Sequence, residues 1–263
     1  MSVLFDDYKQ DIETVISSIE SISTWEAIRK IDEEDMANIN GTAVYQQLIK
    51  IKENYVKFKI DENIIRGSLV LYSVGRFEMF VKQLVEDICI RYVRKAGGFE
   101  KLPEELKSNL VKYTGIVLQN PQKYGHTSNS INQFISILSN NINCIQPFEK
   151  INTECLVVTE ENMRYDIINN LFNRIGAKGV FDKVSKQALI LSFFEIENSD
   201  QAAKEIKTLL NEIMDLRNSI AHPVTSITWP SKEDILRNVE FLVKFGEALD
   251  DVSEVYVSAL SVT

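Results

Sequence analysis

The sequence has few of the residues that interrupt helices and few that build cross-linked or metal-bound folds. Its 263 residues include 10 glycines, 5 prolines, 3 cysteines and 2 histidines. With so few breakers, helical periodicity can run through long segments. The odd cysteine count excludes a complete disulfide framework, and Cys89, Cys144 and Cys155 form no close pair. We therefore expect reduced thiols and a cytoplasmic protein.

The chain also lacks long apolar runs and a positive net charge. No run approaches the roughly 18 apolar residues that cross a bilayer, and the N-terminus shows no secretory signal, so we expect no membrane partner. The formal charge of −9 argues against nonspecific coating of nucleic acid but allows a local basic cleft. Residues 1–36 carry ten acidic and three basic side chains. We interpret the acidic side chains as a solvated face, with a partner surface or a guard over a basic groove as alternatives.

Apolar residues at three- and four-residue steps predict an all-α protein. The longest predicted helix begins at an Asp61 cap, ends at Gly97 and Gly98, and has a broad apolar face that includes Tyr72, so it should lie centrally. A piece at 155–158 reads as extended. The predicted helices span 8–22, 43–59, 61–95, 103–118, 128–140, 162–175, 199–221 and 231–257. Ser199 is the predicted cap of the helix over 199–221, which should end there because Pro223 disfavours helical geometry at the preceding residue. Ser231 and Asp234 resemble a capping box that opens the last helix.

Residues 174–190 have a local charge of +3, because the segment contains four basic side chains and one aspartate. Such a segment is either a solvated loop or a contact with a phosphate backbone. The candidate nucleic-acid-binding residues are Arg174, Lys178, Lys183 and Lys186.

Residues 217–223 read RNSIAHP and place an arginine, an amide and a histidine at the end of a strongly periodic helix. A guanidinium binds phosphate through parallel hydrogen bonds, and an imidazole exchanges protons near neutral pH. The pairing of Arg217 with His222 therefore indicates phosphodiester cleavage without a metal ion. The alternative is a structural helix end, where His222 meets terminal carbonyls and Arg217 bridges to a neighbouring element.

The two candidate groups do not point to one side of a regular helix. Arg217 and His222 are about 140° apart, and Arg217 falls about 40° from Ile213 in the apolar stripe. A charge there needs a carboxylate, carbonyls, a polar interface or an anionic ligand. Asn218 and His222 share a face, so the amide can orient the imidazole. Convergence on one atom requires that Pro223 unwinds the last turn, or that a second copy completes the site across a two-fold axis.

No other pattern suggests a metal or cofactor. The histidines are far apart, no Cys/His cluster has zinc spacing, and no glycine-rich loop of a nucleotide-binding type is present. We expect no metal and no cofactor.

Residues 217–222 resemble the Arg-(polar)-x3-His signature of the HEPN superfamily (higher eukaryote and prokaryote nucleotide-binding domains). The asparagine in second place and the alanine before the histidine resemble its RiboL-PSP and MAE-type branches. Residues 71–81, LYSVGRFEMFV, are similar to the superfamily's early helix. The stretch from NMR at 162–164 to RIG at 174–176 resembles the segment that precedes the motif helix.

The resemblance implies a HEPN-like up-and-down helical bundle. It covers residues 61–260 loosely, which gives one domain over 1–263 with a core at 61–97 and 160–260. Residues 1–60 and 98–160 are then an N-terminal extension and an insertion with extra helices.

The resemblance also implies a homodimeric, metal-independent endoribonuclease of the kind that acts as a toxin or an antiviral-defence effector. It assigns catalysis to Arg217 and His222, assistance to Asn218, and the orientation of Arg217 to Glu78. The substrate's own 2′-hydroxyl would attack, giving a 2′,3′-cyclic phosphate. The alternative is a non-catalytic HEPN-fold interaction or RNA-binding protein that partners an antitoxin, a toxin or another defence component.

Overall fold

The structure, a computed structural model, describes residues 2–29, 31, 41–53, 55–222 and 229–260. These residues form an all-α fold, as predicted, with no strand in the described ranges. The helices are α1 (Val3–Arg29), α2 (Ala43–Glu53), α3 (Tyr55–Ala96), α4 (Glu104–Gln119), α5 (Ser128–Ile142), α6 (Thr153–Leu156), α7 (Tyr165–Arg174), α8 (Val180–Val184), α9 (Ala188–Phe194), α10 (Ser199–Ala221) and α11 (Lys232–Ala259).

The 42-residue helix α3 is the centre of the bundle, as its broad apolar face predicted. It packs against α1, α2, α10 and α11. Its predicted start is wrong, because the helix already begins at Tyr55 and continues through Asp61. One predicted inward residue is also wrong, since Tyr72 is 45% exposed. The helix ends as expected, where Gly97 adopts a φ of +68° that favours glycine.

Helix α1 is part of the main core rather than an addition to it. Its apolar stripe is buried against α3 and α11, and Tyr8 stacks on Phe80 with ring centroids 4.5 Å apart. The Tyr8 hydroxyl donates a hydrogen bond to the carbonyl of Leu242 at 3.0 Å. The acidic residues Asp6 and Asp7 lie on the exposed side, in agreement with a solvated face.

The segment between α3 and α7 forms a smaller packing unit on the bundle. Val117 of α4, Phe134 of α5 and Cys155 of α6 build a second apolar cluster. The prediction that residues 155–158 are extended is wrong at their start, because Cys155 lies in the short helix α6.

Two long helices lie near the C-terminus, and the first of them carries the motif. The motif helix α10 is capped by Asn198, whose side chain accepts from two backbone amides, so the predicted cap at Ser199 is wrong by one residue. Helix α11 begins with the predicted capping box of Ser231 and Asp234. Among the described helices, none has both the length and the apolar content that a bilayer crossing requires.

Candidate active site

The motif lies on the last turn of α10, which stays regular to its end. The backbone N–H of His222 still bonds to the carbonyl of Asn218 at 2.9 Å, but φ and ψ of His222 are −131° and 68°. The helix therefore ends at Ala221, as predicted. Pro223, the expected cause, lies outside the described residues.

The side chain of Arg217 is half-buried and faces an amide rather than an acid. Its Nη1 donates to Oδ1 of Asn218 at 3.2 Å. Within the described ranges no carboxylate oxygen lies within 4 Å of this guanidinium. A half-buried cation without a countercharge is costly unless an anion joins it. The guanidinium of Arg217 is therefore able to bind an anion.

Asn218 accepts a second hydrogen bond from outside its helix. The Nδ2 of Asn162 lies 2.6 Å from the same Oδ1 that Arg217 contacts. Asn162 stands just before α7 and is 56 residues from the motif, so no short sequence pattern could have pointed to it. Two donors thus meet one amide oxygen at the end of α10.

Glu78 reaches the motif by way of this segment. Its Oε1 accepts from the backbone N–H of Met163 at 3.2 Å. The orientation of Arg217 by Glu78 stays a prediction, but Glu78 makes no ion pair with Arg217 in the described part of the chain. It instead anchors α3 to the residue after Asn162.

Arg164 attaches the same segment to α10 one and two turns before Asn218. Its Nη1 donates to the carbonyl of Asn211 at 3.4 Å, and its Nη2 pairs with Asp215. Residues 211, 215, 218 and 222 follow a four-three-four spacing and therefore share one face of the helix. The segment 162–164 runs beside this polar face, and the exposed His222 lies at its end.

Arg174, a predicted RNA-binding residue, is buried and only 8% exposed. Its Nη1 donates to the carbonyls of Leu156 and Val158, both at 2.8 Å, and its guanidinium lies 3.9 Å from the ring centroid of Tyr113. Burial lowers the pKa of this guanidinium. Because its donors serve the protein's own carbonyls, Arg174 is not available to RNA.

Lys183 lies in the short helix α8, Lys178 in the irregular segment before it and Lys186 in the turn after it. The structure does not bring Lys178 or Lys183 to the motif. Lys178 pairs with Glu105, and its carbonyl accepts from the hydroxyl of Tyr256 at 2.7 Å. Lys183 lies 5.2 Å from the ring centroid of the same tyrosine, and Lys186 is exposed.

The position of Tyr256 separates these lysines from the motif. Trp229 and Ile220 both approach Gly67, so the entry into α11 lies beside the end of α10. Tyr256 lies 24 residues after Lys232, about 36 Å along α11. Lys178 and Lys183 therefore lie near the far end of α11.

The second histidine, His126, occupies a different cleft of about 360 Å³, which Lys82, Lys123 and Tyr124 also line. Its ring meets Phe134 edge-on at 4.9 Å, and Nδ1 lies 3.7 Å from a carboxylate oxygen of Glu154. Its side chain is only 13% exposed, so it is a packed residue rather than a free loop group. No group of three or more His, Cys, Asp or Glu that could hold a metal occurs among the described residues.

Comparison with known proteins identifies the family. The RiboL-PSP-HEPN family model matches residues 42–254, most of the chain, so the matched range contains residues 98–160 and 217–222 but not α1. Neither the curated proteins nor the solved structures gave a match. HEPN domains often dimerise and bind RNA. On the extent of this match, the chain belongs to the RiboL-PSP-HEPN family.

Proposed function

We propose that this protein is a metal-independent endoribonuclease. The observation that carries the proposal is the half-buried guanidinium of Arg217, which has an amide neighbour and, among the described residues, no carboxylate. A phosphate oxygen supplies the missing negative charge in a fork geometry that guanidinium groups favour. The exposed imidazole of His222 lies five residues further along the chain.

In the proposed reaction the substrate's 2′-oxygen attacks the adjacent phosphorus, and the bond to the 5′-oxygen breaks. His222 either accepts the 2′-hydroxyl proton, while water protonates the leaving 5′-oxygen, or donates a proton to the 5′-oxygen, while water accepts the 2′-hydroxyl proton. Arg217 stabilises the negative charge that develops on the phosphoryl oxygens. Asn218 donates a hydrogen bond to the same phosphate or orients His222. The products are a 2′,3′-cyclic phosphate and a 5′-hydroxyl.

We further propose that the active species is a homodimer. The regular geometry of α10 up to Ala221 leaves Arg217 and His222 about 140° apart around its axis. A second copy related by a two-fold axis supplies the complementary group to each site. Mixing Arg217→Ala with His222→Ala protein should then restore cleavage through mixed dimers. No recovery after subunit exchange, shown independently by a mass-tagged copy, would exclude a site shared between copies.

The biological setting that we propose is a cytoplasmic toxin or antiviral-defence effector acting on RNA, with an antitoxin or defence component as partner. All three thiols are free, and Cys89 and Cys155 are buried, which fits a reducing compartment.

The proposal is tested by incubating a mixed RNA pool in EDTA with the wild type, His222→Ala and the control His126→Ala. Cleavage should persist in the wild type and in the control. The cleavage rate of His222→Ala should be lower by about a hundredfold or more. A matched DNA pool should remain intact, since it lacks the 2′-hydroxyl. A folded wild type that leaves the RNA intact, or equal cutting by His222→Ala, contradicts the proposal and favours the non-catalytic alternative.

A further inference from the structure

We propose that Asn162 is a positioning residue that turns the amide of Asn218 so that its NH2 group faces the ligand. This inference rests on the proposed ribonuclease function and adds a residue that the motif itself does not contain. It follows from the hydrogen-bond directions at Oδ1 of Asn218, from the attachment of residues 162–164, and from the donors that a phosphate requires.

The direction of the Asn218 amide is fixed by the chemistry of its neighbour. A guanidinium carries N–H donors and no acceptor, so the atom that faces Nη1 of Arg217 at 3.2 Å must be the amide oxygen. Asn162 must in turn present its NH2 group to that oxygen, at 2.6 Å, because two amide oxygens would repel each other. The two donors occupy both lone pairs of Oδ1.

The opposite end of the Asn218 amide is therefore a donor that points away from both partners. Within the described part of the chain its Nδ2 makes no hydrogen bond. An NH2 group beside the guanidinium of Arg217 adds a second kind of donor for the same phosphate, and amide side chains are among the groups that contact phosphate oxygens. If the amide were reversed, its oxygen would face the phosphate and repel it.

Asn162 is held firmly enough to set this direction because the two residues that follow it contact two different helices. The backbone N–H of Met163 bonds to Glu78 of α3, and the Met163 side chain is 1% exposed. Arg164 contacts Asp215 and the carbonyl of Asn211 on α10. The segment 162–164 thus joins α3 to α10, and Glu78 acts on the site through it.

The test compares steady-state RNA cleavage by the wild type, Asn162→Ala and the isosteric Asn162→Asp. Removal of the donor should lower kcat about tenfold and leave KM within about twofold, because the amide is misdirected in the transition state. Asn162→Asp should lower kcat further, because a carboxylate attracts the Asn218 NH2 and turns its oxygen towards the phosphate. A residue with a merely structural role would be replaced better by aspartate than by alanine.

Two controls separate positioning from folding. Asn143→Ala removes an amide hydrogen bond of 2.8 Å from the exposed end of α5 and should leave kcat unchanged. In an Asn218→Ala background, Asn162→Ala should have no further effect, since the group that it positions is gone. Additive losses, or a loss in Asn143→Ala equal to that in Asn162→Ala, overturn the proposal.

The outcomes also distinguish this inference from the ribonuclease proposal. An active wild type with unchanged Asn162→Ala overturns only the role of Asn162. If the wild type binds RNA but does not cut it, the ribonuclease proposal fails, and the role of Asn162, which acts on the transition state, fails with it. A wild type that neither binds nor cuts RNA overturns both.

Discussion

Replacing Gly246 by alanine should destabilise the bundle, whereas the same change at Gly115 should stabilise it. Gly246 lies in α11 where α1 crosses it, and an added Cβ would lie 2.8 Å from Cε1 of Tyr8 and 3.4 Å from Cε1 of Phe80. The ring of Tyr8 can move away only by losing its stacking on Phe80 and the hydrogen bond from its hydroxyl to the carbonyl of Leu242.

The expected size of the effect follows from three terms. Overpacking of a dense core costs about 1–3 kcal/mol, and loss of the Tyr8 hydrogen bond costs about 1 kcal/mol. Alanine in place of glycine inside a helix stabilises by about 1 kcal/mol. Gly246→Ala should therefore lower the free energy of unfolding by about 1–3 kcal/mol. Gly115 is exposed in α4 with no atom within 4 Å of an added Cβ, so only the favourable term applies there.

Urea denaturation of both variants at one pH, followed by circular dichroism, measures the difference. Equal m values would show that both free energies refer to the same transition. If Gly246→Ala is as stable as Gly115→Ala, the close crossing of α1 over α11 is refuted, and with it the place of α1 in the core.

Three further predictions concern stability. Arg174→Ala should lower the free energy of unfolding by about 2–4 kcal/mol, because one buried and one half-buried carbonyl lose their donor, whereas exposed Lys186→Ala should change it by less than about 0.5 kcal/mol; equal urea midpoints would contradict this. Ser231→Ala should cost about 1 kcal/mol in the same assay, since the capping box of α11 is lost. Burial and Glu154 raise the pKa of Glu86, so its contribution to stability is present below the unfolded pKa and is lost as pH rises through the folded pKa. Glu86→Gln should therefore raise the melting temperature at pH 7 but not near pH 4, and no gain at pH 7 would refute this.

The long helices were predictable because their apolar stripes are long enough to show the period. The predicted end of α3 at Gly97 and the capping box of α11 agree with the structure. The start of α3 was missed because Asp61, a common cap residue, lies inside a helix that continues on both sides. Helices α8 and α9, of 5 and 7 residues, are too short for a periodic signal, and the lysines at 178, 183 and 186 suggested a loop.

The site was predictable only where its residues are neighbours in sequence. Arg217, Asn218 and His222 lie on one helix end, so their spacing could be read directly. Asn162 joins them through a contact over 56 residues that depends on how α7 and α10 pack. Arg174 is a basic residue in a basic segment, which suggested a contact with RNA phosphates. Only the fold shows that its guanidinium binds backbone carbonyls.

The central claim is that Arg217 and His222 act as one unit on a single phosphate. The most direct measurement is single-turnover cleavage of one RNA in EDTA by the wild type, Arg217→Ala, His222→Ala and the double variant, with the 3′ ends analysed by mass spectrometry. We predict 2′,3′-cyclic phosphate ends in the wild type, a loss of about a hundredfold to ten-thousandfold in each single variant, and little further loss in the double variant. Losses that multiply in the double variant, or a wild type that yields no cyclic phosphate, would contradict the claim.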